Sequence, residues 1–99
     1  MYRNNAYNEE LAKQLKDQEF AREYFLALVE GDEEPISIEE ALRIVIPQMG
    51  VAEYSRSITK SKTDVDKFLR GERNLKRETL NEYLKPFDLV VKLVLEKAA

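Results

Sequence analysis

The sequence predicts an all-α fold of five to six helices, on three observations. Apolar residues recur at three- and four-residue spacing along most of the chain. Asn8, Ser37 and Ser61 stand where such runs begin, with side-chain oxygens able to accept the free amides of a first helical turn. Only three glycines and three prolines interrupt the 99 residues, too few for a disordered chain. That length suits one modest core and not two, so residues 1–99 are expected to form a single domain. Within it, residues 1–35 read as an N-terminal helical extension, 36–87 as a helix-turn-helix core, and 88–99 as a strand or dimerisation segment.

Composition excludes several kinds of chemistry. Without cysteine there is no disulfide framework, thiol nucleophile or thiolate-bound metal. Without histidine the commonest general base and the commonest transition-metal ligand are missing. No enzyme, cofactor or metal is expected. The start is polar and no apolar run approaches the ~18 residues of a membrane span, so a cytoplasmic location is expected.

Taken in order, Asn8 caps a short helix containing Leu11, Ala12 and Leu15, with Glu9 and Glu10 favourably placed near its N-terminus. Asp17 restarts the pattern, and Phe20, Ala21, Tyr24, Phe25, Leu28 and Val29 form one broad face that stops at Gly31. Glu30, Asp32, Glu33 and Glu34 then form a solvated acidic loop that lacks the alternating oxygen ligands of a calcium loop. Ser37 and Glu40 make a capping box for a helix that buries Ile38, Ala41, Leu42, Val45 and Ile46. Pro47 lacks the amide that would bond back to Arg43, so this helix is expected to kink or end near Gln48.

Residues 51–71 organise the rest. Val51, Tyr54, Ser55 and Ile58 mark one helical face, and Val65, Phe68 and Leu69 mark another after a corner at residues 59–61. Ser61 and Asp64 form a second capping box, so a helix starts at Lys62 and ends at Gly71. This is the spacing of a helix-turn-helix, whose second helix enters the DNA major groove. Lys62, Thr63, Asp64 and Lys67 are the expected base contacts, with Asp64 favoured as the capping partner. A further helix from Lys76 buries Leu80, Tyr83 and Leu84 and stops before Pro86. Residues 89–95, three valines and three leucines around one lysine, favour a strand over a short helix, which would also bury most of them. A lone strand leaves its backbone unpaired, so pairing with a second copy through Leu89, Val91, Leu93 and Leu95 is expected.

Charge is segregated along the chain. Residues 54–77 carry eight basic and three acidic side chains, whereas residues 1–53 carry five basic and twelve acidic. A basic island in an acidic chain is the footprint of a phosphate-binding surface. Arg56, Lys60, Ser61, Arg70, Arg73, Asn74, Lys76 and Arg77 are the expected phosphate contacts.

On these residues the chain resembles the antidote (antitoxin) proteins of bacterial addiction modules that carry a lambda-repressor-like helix-turn-helix. Residues 17–24, DQEFAREY, resemble that family's opening D-P-E-F-A-x-E-Y, followed by Leu28, Gly31 and Asp32. Ala41-Leu42-Arg43 resembles its A-L-R step, and Thr59, Val65, Leu69, Gly71, Asn74, Thr79 and Leu80 fit its repressor-like core. The chain departs from the pattern at Thr59 and Asp88, where the family has glycine, at Leu75, where it has proline, and at Arg77, where it has leucine. Because Thr59 is β-branched and disfavours positive φ, an altered turn is expected there. The resemblance implies a homodimeric repressor of its own operon, bound to double-stranded DNA, that also silences a small toxin, often a ribonuclease of the RelE/ParE superfamily. The acidic N-terminal helices suit such a basic partner. Two other readings compete: a phage-type or cellular repressor without a toxin, and a helical protein-binding adaptor.

Overall fold

Side-chain oxygens start four of the helices. In the computed structural model, which describes residues 8–31, 33–92, 95 and 97, the side chain of Asn8 accepts the Leu11 amide, Asp17 that of Glu19, Ser37 that of Glu40 and Ser61 that of Asp64. The helices so begun are α1 (Glu9–Gln14), α2 (Gln18–Val29), α3 (Ile38–Met49) and α5 (Lys62–Leu69). Between and after them come α4 (Val51–Ser57), α6 (Arg77–Leu84) and a 3₁₀ turn at Lys85–Phe87. The described residues are thus all-helical, with no strand among them.

Pro47 does not stop α3, which runs on to Met49 and closes with the Gly50 amide on the Ile46 carbonyl. Gly50, at φ +94°, then turns the chain directly into α4. Gln48, buried in this last turn, accepts the Asn8 amide at 3.0 Å and so ties the start of α1 to the end of α3.

The chain reverses at three sites with one hydrogen-bond pattern. After α4 the Thr59 amide bonds to the Arg56 carbonyl and the Lys60 amide to that of Ser55. After α5 the Gly71 and Glu72 amides take the carbonyls of Phe68 and Lys67, and after the 3₁₀ turn Asp88 and Leu89 take those of Lys85 and Leu84. Each is a Schellman closure, which requires its central residue at positive φ. That residue is Thr59 at +58°, Gly71 at +77° and Asp88 at +55°. The altered turn expected from Thr59 is therefore absent: the glycine-type geometry is kept, and a β-branched residue bears the strain.

One continuous core gathers residues from α1 to the 3₁₀ turn, including Leu15, Phe25, Leu42, Ile46, Tyr54, Phe68, Tyr83 and Phe87. Its centre is aromatic. Phe25 and Phe87 ring centroids lie 4.9 Å apart, Phe68 and Tyr83 5.3 Å, and Tyr54 meets both Tyr83 and Phe87 at about 6 Å. The Tyr54 hydroxyl donates to the Tyr83 carbonyl in α6. Around the 3₁₀ turn, Gln18 Nε2 donates to the Pro86 carbonyl at 3.1 Å and Arg22 pairs with Asp88 at 3.3 Å. Helix α2 thus packs on the same core as the helix pair.

Residues 89–92 and 95 form no strand in the single chain, and Leu93 and Val94 lie outside the described residues. Leu89 and Val91 instead pack against the protein's own core, leaving Val90 and Leu95 exposed at 60% and 89%. The physical reason lies in α6. Asn81 Oδ1 accepts the Val91 amide at 2.6 Å and Asn81 Nδ2 reaches the Val91 carbonyl at 3.4 Å, so one side-chain amide takes the place of a pairing strand.

Two outcomes test this description. Replacing Thr59 with glycine removes the Cβ clash at positive φ and is expected to stabilise the fold by about 1 kcal/mol, measured as a Tm rise of several degrees. Burial and neighbouring Tyr83 push the Tyr54 hydroxyl above the ordinary tyrosine range. Since the folded pKa exceeds the unfolded one, stability is full below pH about 10 and falls as pH rises past it. Tyr54→Phe is expected to lose about 1 kcal/mol at neutral pH and to flatten that alkaline fall in denaturant titrations.

Candidate nucleic-acid interface

Helix α5 is set by its apolar side. Val65 and Phe68 are buried and Leu69 is half-buried, so at 100° per residue the opposite ridge carries Thr63, Lys67 and Arg70. Of the expected base contacts, Thr63 and Lys67 therefore lie on the outward ridge, while Lys62 and Asp64 sit on its two flanks.

Carboxylates occupy both flanks. Lys62 Nζ pairs with Asp66 Oδ2 at 3.1 Å, one helical turn on. On the other side Arg73 Nη1 pairs with Asp64 Oδ1 at 3.2 Å. Asp64 donates its backbone amide to the Ser61 cap at 3.0 Å, but its carboxylate engages Arg73 across the loop. The capping role expected for that carboxylate is therefore replaced by an ion pair.

Two further cations are engaged. Arg70 Nε meets Glu72 at 2.6 Å, and this hydrogen bond and charge hold the Glu72 carboxyl below its usual range and raise Arg70. Lys60 Nζ reaches Glu82 at 3.2 Å and ties the inter-helix turn to α6. Arg56, Lys67, Lys76 and Arg77 have no carboxylate partner within ion-pair distance among the described residues. Half the basic side chains of the island are thus neutralised in place, by exposed pairs of the kind that exchange readily.

A groove of about 350 Å³ between the start of α5 and α6 brings Lys60, Arg73, Asn74 and Lys76 together, with Asp64 on its wall and Thr79 and Tyr83 also lining it. Burial, followed by the charge of Asp64, raises the Tyr83 hydroxyl above its ordinary range. Four of the expected phosphate contacts are thereby collected at one place. Arg56 lies on α4 and Ser61 serves as the α5 cap.

Residues outside the expected set hold this surface. Arg43 in α3 donates from Nε to the Phe68 carbonyl at 2.9 Å, and its guanidinium lies 4.5 Å from the Phe68 ring centroid. It fixes the last turn of α5 by a charged hydrogen bond and a cation–π contact together. Glu39 accepts the Leu75 amide at 3.2 Å, anchoring the loop after α5 to α3. A proline at position 75 could not make that bond, so the Leu75 departure has a structural use. Arginine and glutamate on the side of an amphipathic helix gave no sequence signal for either contact, because the partners are backbone groups remote in the chain.

Among the described residues no three carboxylates gather closely enough to hold a metal ion, and no helix is long and apolar enough to cross a membrane. No protein-family model, curated protein or solved structure matches the chain. Arg43→Ala is expected to destabilise the fold by about 2 kcal/mol, with Arg43→Lys recovering only part of it, as read from denaturant midpoints.

Proposed function

We propose that the protein is a sequence-specific DNA-binding repressor, with α4 and α5 as a lambda-repressor-like helix-turn-helix and α5 as its reading helix. The observation that carries this reading is the outward ridge of α5, Thr63, Lys67 and Arg70, set beside the groove of Lys60, Arg73, Asn74 and Lys76. Threonine can donate, accept or touch a thymine methyl, and lysine can donate to guanine, while the groove cations with Arg56 and Arg77 meet the backbone. Two copies would place their α5 helices in successive major grooves about 34 Å apart, with the exposed Val90 and Leu95 available for contact between them.

The resemblance to addiction-module antitoxins extends the proposal to autoregulation of an operon and to silencing of a small basic toxin, met by the acidic N-terminal helices. The positive φ of Thr59 and Asp88 supports it, since both stand where that family carries glycine. The toxin's class rests on the resemblance alone.

Fluorescence anisotropy with the DNA upstream of the protein's own gene, across a salt series, tests the reading. Wild-type binding should weaken with salt at a log-log slope of roughly −0.9 per neutralised phosphate. Thr63→Ala with Lys67→Ala should lose at least about tenfold in affinity. Binding no tighter than to random duplex, or indifferent to the double substitution, sinks the assignment of α5.

A further inference from the structure

The helix that would read DNA carries no net charge. Lys62 and Lys67 are matched within α5 by Asp64 and Asp66, although the surrounding island is strongly basic. The two carboxylates stand on opposite flanks of the Thr63, Lys67 ridge, and each already holds a cation: Lys62 for Asp66, Arg73 for Asp64. Neither is buried, and neither supports the apolar face that packs α5.

We propose that Asp64 and Asp66 are specificity-determining residues that act by weakening binding to non-cognate DNA. This rests on the reading of α5 as a DNA-reading helix. When Lys62 or Arg73 exchanges its carboxylate for a phosphate, the carboxylate is left facing the duplex within a Debye length of about 8 Å, where its charge opposes that of the backbone. On random sequence it also loses hydration with no donor to replace water. On a matched sequence a cytosine N4 amino group beside it supplies that donor, and the penalty disappears. The cations of the flanking groove then provide attraction common to all sequences, while the reading helix contributes affinity only where bases compensate its aspartates. Isolated surface ion pairs of this kind add little to stability, so their removal leaves the fold in place.

The test compares wild type, an Asp64→Asn, Asp66→Asn double variant, and Glu23→Gln, which removes an exposed carboxylate on α2, away from α5. Anisotropy titrations use the upstream duplex and a scrambled duplex of equal length and composition. The double variant should tighten on scrambled DNA about tenfold and steepen its salt slope by one to two, as two cations become free to neutralise phosphates. Its affinity for upstream DNA should rise by less than about threefold, so discrimination falls while Glu23→Gln keeps it. Equal tightening on both duplexes, no change on either, or the same effect from Glu23→Gln overturns the proposal while the DNA-binding reading stands. A wild type that fails to distinguish the two duplexes removes that reading and this one together. Circular dichroism melting curves matched to the wild type establish that the variants are folded.

Discussion

Tyr54 is the residue on which the rest of the structure depends. Its ring lies between Tyr83 and Phe87, and its hydroxyl reaches across to the Tyr83 carbonyl. It thereby joins the first helix of the pair to the final helix and the 3₁₀ turn. Phe68, from the second helix of the pair, packs edge-on against Tyr83, and Phe25 brings α2 onto Phe87. Aromatic pairs each add about 0.5–1.5 kcal/mol beyond the area they bury. In a domain of this size such a chain of contacts is a large part of the net stability, and it joins α2 to the three successive helices α4, α5 and α6.

That arrangement fixes how α5 is presented. Val65 and Phe68 point into the core, so the ridge of Thr63, Lys67 and Arg70 points out. Arg43 and Glu39 then hold the end of α5 and the following loop from α3. The anchors are backbone carbonyls and amides, so position is set by polar contacts with well-defined geometry and not by exposed ion pairs. The exposed ion pairs do something else: they leave four cations of the island neutralised but exchangeable.

The C-terminal segment shows how a side chain can meet the backbone groups that a local pattern leaves open. Residues 89–95 have the composition of a strand, and composition cannot say whether a partner strand exists. The backbone groups of Val91 have to be satisfied, and Asn81 satisfies both from one side chain. With that need met inside the chain, the described hydrophobic residues of the segment divide by burial: Leu89 and Val91 turn inward, and Val90 and Leu95 stay in solvent. Asp88, held at positive φ by Schellman bonds, aims the segment back along α6.

By itself the sequence determined what is local. Helix starts follow from oxygens three residues before the amides that donate to them, as at Asn8, Ser37 and Ser61, and inward faces follow from three- and four-residue spacing. The end of α5 followed from Gly71, whose freedom at positive φ is an intrinsic property. Tertiary structure decided whatever depends on a neighbour distant along the chain. Thr59 stands where the resembled family has glycine, but only the packing of α4 on α5 decided that a β-branched residue would accept a glycine's conformation there. Phe87, just past a proline that marked the end of a helix, became core because α2 and α4 bring Phe25 and Tyr54 to it. Spacing supplied the list of charged residues near α5, but only folding determined which were paired, since Asp64 meets Arg73 and Lys60 meets Glu82 across turns whose paths no short-range pattern encodes.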